Sequence, residues 1–575
     1  MKTIHLLGVA AAALIAVPLA AAPMGTFSPQ RLSSHVQVLG SDAYEGRGPN
    51  TPAETKTINY IVDQFRSAGL QPGGDPVAGG GRKWTQDVPL LQSSIIGAPQ
   101  LTLNLGNGQS LALTQGEQIA VRSPMNGQSA VSFADTPLVF AGYGVTAPER
   151  NWDDFKNVDV RGKLIVVLIN DPDFDGGEGD FGGKAMTYYG RWTYKYEEAA
   201  RRGAAGVLIV HATAPASYGW NTVKNSTTNT MFDVVRDNPR GSHTPFESWI
   251  QRPLAEQIFA ASGLNFEQAK AAARKRDFRP IPLKATLGAK LQANVATITS
   301  HNVVGMVRGK KYPDETVVYS AHWDHLGIGK PDANGDNIYN GAVDNATGIA
   351  MLIEQGRAFA RGSRPDRSVV FLAVTAEEKG LLGSEYYATH PLFPLGKTVG
   401  VLNTDAMNTW GPTKNFSMSG NAKLDLLDAL VAQGRQIGRT FVPDPHPEAG
   451  HFYRSDHFPF AKVGVPAVSF DSGNDLVNGG TARGEALAAD YTAKRYHQPD
   501  DEFNSAWDFR GMAEDAQFLH VVGERLANSR DWPNWSPDSE FRATRDRSAA
   551  DRSGAAAAPA ADQPAATPPR KGERG

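Results

Sequence analysis

The stretch from Thr316 to Gly348 reads TVVYSAHWDHLGIGKPDANGDNIYNGAVDNATG. Thr316 to Ala321 has the apolar, bounded composition of a buried strand, and Ile349, Leu352, Ile353, Gly356 and Phe359 recur at helical spacing beyond it. His322 therefore leaves a strand end, and Asp344 opens a helix. In open α/β sheets ligands gather in the crevice beyond the carboxyl ends of the strands, so both residues fall where chemistry is usually done. Together they make half of a metal site, and the rest of the chain is read for the other half.

Working outward, the region from Ala293 onward alternates strand and helix patterns: NVVGMVRG, TVVYSAHW, the helix after Asp344, SVVFLAVTA, a helix through Leu381 to Thr389, TVGVLNTDA, a helix from Ala422 to Ile437, and VPAVSF. That alternation predicts an α/β fold, a mostly parallel or mixed sheet sandwiched by helices. Upstream, SPQRLSSHVQVLGS and TPAETKTINYIVDQFRSAGL predict two helices, and residues 84 to about 135 read as hairpin strands with Gly-Asn-Gly between short alternating runs. Between them and Ala293, PLVFAGYGV, GKLIVVLIND, a tyrosine-rich helix from Tyr188 to Arg202 and AAGVLIVHAT form a unit of their own. A helical pattern, LAEQIFAASGLNFEQAKAAARK, follows it. The expected organisation is a signal peptide at 1–22, an N-terminal part of the main domain with connecting strands at 23–130, an insert at 131–290, the catalytic domain at 291–535, and a disordered tail at 536–575, where Ala, Pro and charge replace apolar bulk.

The length of 575 residues suits roughly two to four domains. A formal charge of -3 gives no electrostatic steer towards nucleic acid or an anionic membrane. MKTIHLLGVAAAALIAVPLAAAP sets a lysine ahead of an apolar segment that ends in small residues, the layout of a secretory signal. At the short limit for a ~20-residue span, it is not read as a stable membrane anchor. The expected location is periplasmic or secreted. The chain has no cysteine, so disulfides, thiolate catalysis and zinc-thiolate sites are excluded, and any metal is held by His, Asp and Glu.

Further metal-capable residues stand at strand ends or helix starts: Asp324, the pair Glu377-Glu378, Asp405, and His497 in YHQPDDEF. His322, Asp344, Glu378, Asp405 and His497 make two imidazoles and three carboxylates. Such hard ligands suit zinc, and one shared carboxylate can bridge two ions ~3.5–4 Å apart. Neighbouring glutamates can divide the work, one binding metal and the other remaining free for proton transfer. Asp324, two residues after His322, is placed to hydrogen-bond the imidazole and fix its tautomer. Singly, each residue has an ordinary reading: a structural histidine, a helix N-cap at Asp344, a solvated helix start at Glu377-Glu378. His325 reads as a loop residue, Asp456 and His457 as loop hydrogen-bonding residues, and Tyr188, Tyr189, Trp192, Tyr194 and Tyr196 as a packing surface. No H-E-x-x-H helix, G-x-S-x-G elbow or P-loop is present.

In order, SAHWDHLG, GAVDNATG, TAEEKGLLGS, NTDAM, RSDHFPFAKVGVPAVSF and YHQPDD resemble the co-catalytic di-zinc aminopeptidase family, relatives of bacterial leucyl aminopeptidases and glutamate carboxypeptidases. The resemblance implies two Zn²⁺ per chain, with His322 and Asp405 on one, Glu378 and His497 on the other and Asp344 bridging. It also implies Glu377 as general base, Asp324 behind His322, and a peptide substrate trimmed from its N-terminus. Residues from VFAGYGVTAPERNWDDFKNVDVRGKLIVVL to YEEAARRGAAGVLIVHA resemble a protease-associated domain. A carboxypeptidase, a glutaminyl cyclase-like transferase and a non-catalytic peptide-binding protein are alternatives on the same fold. The sequence assigns neither the preferred residue nor the oligomeric state.

Overall fold

The computed structural model describes residues 27–552, with 178 and 421 excepted. The expected export segment at 1–22 and the chain after 552 lie outside the described residues.

Tyr312–His322 is the central strand. It runs parallel to Arg367–Val374 on one side and to Thr398–Thr404 on the other, and Ala467–Asp471 continues the parallel set beyond Thr398–Thr404. Antiparallel strands flank these four, Ile281–Val307 beside Arg367–Val374 and Asn415–Met418 beside Ala467–Asp471. The sheet is thus mixed around a parallel centre, as the alternating pattern predicts. Every residue from Thr316 to His322 is buried, as a strand covered on both faces requires. Val317, Tyr319 and Ala321 point into the larger core, built with Pro29–Leu39, Pro52–Ala68, Thr347–Arg361 and Arg510–Asn528; Val318 points into the smaller one with Tyr387 and Phe460. Period-two alternation inside an all-apolar run is what assigns each side chain to its layer. The Tyr319 hydroxyl donates to the Leu519 carbonyl at 2.8 Å, and a Cβ at Gly523 would meet that hydroxyl at 1.8 Å, so the close helix–sheet approach depends on glycine there.

A second sheet lies upstream. Leu164–Leu168, Gly206–His211 and Phe246–Gln251 pair in parallel, and Ala130–Phe140 joins Leu164–Leu168. Its core gathers Phe140, Phe259, Phe278, Leu208 and Ile250. Two expected boundaries move. Gln100–Asn104, Ser110–Ala112 and Ile119–Val121 belong to this second sheet, which therefore begins near residue 100 rather than 131. The expected division at 290/291 falls inside the 27-residue strand Ile281–Val307. Residues 281–292 of that strand pair with the second sheet and residues 293–307 with the first, so the two share one continuous backbone. The single helical pattern after Leu254 resolves into Arg252–Ala261 and Phe266–Ala273, because Gly263 takes φ 77° and the Asn265 side chain caps Gln268 N–H at 2.9 Å.

The expected tail from 536 is also corrected. Arg542–Arg547 and Ala549–Arg552 are helical and pack on the unit of the first sheet. Buried Arg545 donates to the Thr398 carbonyl at 3.0 Å, and Phe541 lies against Trp535 and Phe452 at ring separations of 5.0 and 5.8 Å. One aromatic and one buried arginine within an otherwise polar run are enough to dock it, a signal that average composition dilutes.

The two sheets also meet through charge. Met231–Val234 pairs antiparallel with Thr85–Ile95, and its Asp233 takes Arg236 at 2.7 Å and His243 at 3.1 Å; Arg236 reaches Glu385 at 3.0 Å and His243 reaches Glu247 at 2.9 Å. Burial opposes a charge on His243, but Glu247 and Asp233 outweigh it and raise its pKa to about 9 from an ordinary 6.5. A raised folded pKa means that the stabilisation is complete below the unfolded value near 6.5 and is lost as pH rises through about 9. Between pH 6.5 and 9 the melting temperature of the wild type should therefore fall more than that of His243→Gln; parallel curves would refute the charged cluster. Phe541→Ala should lower unfolding free energy by about 1–2 kcal/mol, below the full-burial value because the ring stays partly exposed; an unchanged denaturation midpoint would refute tail docking.

Candidate metal centre

The carboxyl ends of the parallel strands deliver four loops to one place. His322 is the last residue of its strand, Glu377 and Glu378 follow Arg367–Val374, and Asp405 follows Thr398–Thr404. His497 arrives from the turn after helix Gly480–Lys494. The left-handed backbone of Ala376, Ala406 and His497 (φ 52°, 49° and 57°) aims these loops inward, a conformation that costs on the order of 1–3 kcal/mol per non-glycine residue and persists where the surroundings fix it.

Asp344 stands at the middle of the arrangement. Its Oδ1 lies 3.2 Å from His322 Nε2 and its Oδ2 3.3 Å from His497 Nε2. On the first side His322 Nε2 is 3.1 Å from Asp405 Oδ1 and 3.9 Å from Glu377 Oε2; on the second His497 Nε2 is 3.0 Å from Glu378 Oε2. The donor atoms of His322, Asp344 and Glu378, and those of His322, Glu377 and Asp405, lie within 4.8 Å of one another. Asp344 does not take the helix N-cap role that is its ordinary alternative reading. The helix begins at Thr347, and Asp344 precedes it with φ −102° and ψ 96°, joined to Asn345 by a cis peptide.

Residues with no sequence signal hold these groups. Arg47, fully buried, donates to the carbonyls of Trp323, Leu39, Asn340 and Gly341 at 2.6–2.8 Å and so clamps the chain on both sides of the loop. Asp501 accepts from the main-chain N–H of Val343 and Asp344 at 3.0 Å. The Asn345 carboxamide oxygen accepts from Gly348 and Ala406 N–H, and a Cβ at Gly348 would sit 2.2 Å from that oxygen. Ser455 Oγ donates to Asp405 Oδ2 at 2.6 Å. His325, expected as a plain loop residue, is fully buried and its Nδ1 is in close contact with Glu378 Oε1. From the second sheet's unit, helix Trp220–Thr227 sets Ser226 Oγ 2.8 Å from His497 Nδ1 and Asn225 Nδ2 3.0 Å from the His497 carbonyl.

Asp324 differs from its expected geometry. His322 Nδ1 faces the Asp324 main-chain carbonyl at 3.1 Å, whereas the carboxylate is 3.9 Å away and accepts instead from the N–H groups of Glu377 (3.0 Å) and Glu378 (3.4 Å). A carbonyl only accepts, so a neutral His322 carries its proton on Nδ1 and turns the Nε2 lone pair to the carboxylates. The aspartate fixes the tautomer with its backbone and the glutamate turn with its side chain. Asp456 and His457 are fully buried, Asp456 accepting from Ser384 Oγ at 2.6 Å.

Electrostatics show what the cluster attracts. Burial disfavours charge on both imidazoles, yet Glu377 and Asp405 hold His322 well above its usual range, and Glu378 and Asp344 raise His497 to about 9. Burial likewise works against Asp344 and Glu378, but the histidines hold both well below the usual carboxylate range. Glu377 goes the other way, raised by burial and then by Asp405 and Glu378 despite His322. Packed carboxylates that keep their charge only by drawing protons onto the histidines form a sink for cations. Imidazole nitrogens and carboxylate oxygens in this proportion fit Zn²⁺.

The profile of peptidase family M28 matches residues 302–518. A probable zinc metalloprotease of Pyricularia oryzae is 37% identical over 108 residues, 19% of this chain and 21% of that protein. Aminopeptidase NAALADL1 of Mus musculus is 35% identical over 156 residues, 23% of this chain and 19% of that protein. The chain thus spans about a fifth of the length of these curated relatives. The solved aminopeptidase of Aneurinibacillus sp. strain AM-1 superposes with a TM-score of 0.53 at 18% identity, covering 88% of this chain and 96% of that one, a likeness of fold. Residues 302–518, the segment that carries His322, Asp344, Glu377, Glu378, Asp405 and His497, match peptidase family M28.

Proposed function

We propose that the protein is an exported zinc aminopeptidase that removes N-terminal residues from peptides. The observation that carries this reading is Asp344, whose two carboxylate oxygens face two different histidines at 3.2 and 3.3 Å. An aspartate so divided suits a bridge between two ions, with His322 and Asp405 completing one side and Glu378 and His497 the other. When bound, the zinc pair supplies Lewis-acid polarisation of the scissile carbonyl and acidifies water. The apolar layout of residues 1–22 supports export.

Glu377 does the proton work. It is adjacent to Glu378 but lies on the Asp405 side of His322, free of the contacts that occupy Glu378. Its carboxylate takes a proton from the attacking water as the oxygen–carbon bond forms, and returns it to the peptide nitrogen as the carbon–nitrogen bond breaks. Asp324, through the Glu377 N–H, holds the main chain of the turn from which that carboxylate projects. The unit carrying the second sheet, read as a protease-associated domain, holds His497 through Ser226 and Asn225.

Chelation should abolish hydrolysis of an N-terminally free peptide and Zn²⁺ should restore it, with two zincs per chain by elemental analysis. Glu377→Gln should lose about 10²–10⁴-fold in kcat while retaining its zinc; a near wild-type rate would remove the base assignment. Ser226→Ala should weaken zinc affinity roughly tenfold or more by freeing the His497 ring, and an unaltered chelator titration would show that the second unit does not support that ligand.

A further inference from the structure

We propose that the cavity beside the metal centre binds a carboxylate of the substrate through Arg191 and Arg454, making the enzyme selective for peptides that present an anionic group there. The proposal rests on the peptidase reading and narrows its substrate class. The cavity encloses about 270 Å³ and is lined by Glu377, Glu378 and His497 together with Arg191, Arg454 and Tyr496.

The charges of this cavity do not balance internally. Its other arginines are matched: Arg122 meets Glu247 at 2.9 Å, and Arg236 meets Asp233 at 2.7 Å and Glu385 at 3.0 Å. Glu197 is engaged by the Tyr188 hydroxyl at 2.7 Å and by Arg201 at 3.7 Å. That leaves Glu377 and Glu378, neither of which comes within 4.0 Å of Arg191 or Arg454 among the described residues. Arg191, at the start of helix Trp192–Arg201, has no carboxylate within 4.0 Å among the described residues, and its Nε is buried without a hydrogen-bond partner. Arg454 donates only to neutral oxygens, Ser217 Oγ at 2.8 Å and Tyr496 Oη at 3.0 Å, and lies over the rings of Tyr218 and Tyr496 at 5.2 and 5.7 Å. Lys379 Nζ, behind Glu378, is likewise buried and unpartnered. Burial and the neighbouring Arg454 hold the Arg191 guanidinium down at about 10.

Buried cations without counter-ions are costly, and a planar guanidinium meets a carboxylate through two parallel hydrogen bonds. One of the pair comes from each unit, and Tyr188 joins them by packing on Tyr453 and Phe458 at 5.9 and 5.6 Å. The anion recognised is a carboxylate, whether an aspartyl or glutamyl side chain or the C-terminus of a very short peptide.

Three isosteric pairs distinguish these sources on the zinc-loaded enzyme: Glu-Ala-Ala-amide against Gln-Ala-Ala-amide, Ala-Glu-Ala-amide against Ala-Gln-Ala-amide, and Ala-Ala against Ala-Ala-amide. At least one anionic member should be favoured about tenfold or more in kcat/KM, mainly through KM. In Arg191→Gln and in Arg454→Gln that ratio should collapse towards unity, with partial recovery in Arg191→Lys. No preference in any pair, or a preference that survives both glutamine variants, overturns the proposal. Absence of all hydrolysis, neutral peptides included, would instead overturn the peptidase reading. Calorimetric titration with glutarate then decides the pocket by itself: binding that Arg191→Gln abolishes supports it, and no binding, or binding indifferent to Arg191, overturns it.

Discussion

Crowded negative charge is the constraint around which the molecule is arranged. Asp324, Asp344, Glu377, Glu378, Asp405, Asp456 and Asp501 share one buried region with His322 and His497. Their mutual repulsion would open any loosely built site. The fold contains it with fixed donors: main-chain N–H groups of Val343, Asp344, Glu377 and Glu378, the hydroxyls of Ser384 and Ser455, and Arg47 gripping four carbonyls. The acids sort accordingly. The imidazoles keep Asp344 and Glu378 charged, whereas burial lifts Asp324 and Asp456 to about 7. Such a division of protonation among near neighbours is what separate ligand and proton-transfer roles require.

Much of this was legible in the sequence because strand ends announce themselves. An all-apolar run followed by a polar loop located His322, Glu377-Glu378 and Asp405, and the parallel sheet brings the ends of such runs together without further information. Contacts between residues far apart in the chain were not legible. Ser226 lies 271 positions from His497, and Arg47 lies 276 from Trp323, so neither pairing leaves a local pattern. Asp324 was recognised as a partner of His322, but whether its carbonyl or its carboxylate meets the ring depends on loop dihedrals that composition does not encode. The helix start was misjudged at Asp344 for a related reason: its side chain is drawn to the two imidazoles, and the backbone turns into the helix three residues later.

Strand Ile281–Val307 explains why simple boundaries fail upstream. A strand that runs unbroken over 27 residues offers no turn at which to divide it, and the two sheets take successive halves. The aromatic surface of helix Trp192–Arg201 also has two tasks. Tyr194 packs in the interior as its periodicity suggests, while Tyr188, Trp192 and Tyr196 face the cavity. An amphipathic stripe reveals which side is apolar but not whether it meets a core or an enclosed space.

The bond between Ser226 and His497 ties two events into one equilibrium. Coupling free energy is reciprocal, so whatever the seating of the second unit contributes to the grip on a cation, an occupied centre returns to that seating in equal measure. An ion held there would serve as a fastener between the units. Because strand Ile281–Val307 runs through both sheets, the same backbone that joins the units keeps Ser226 within reach of His497.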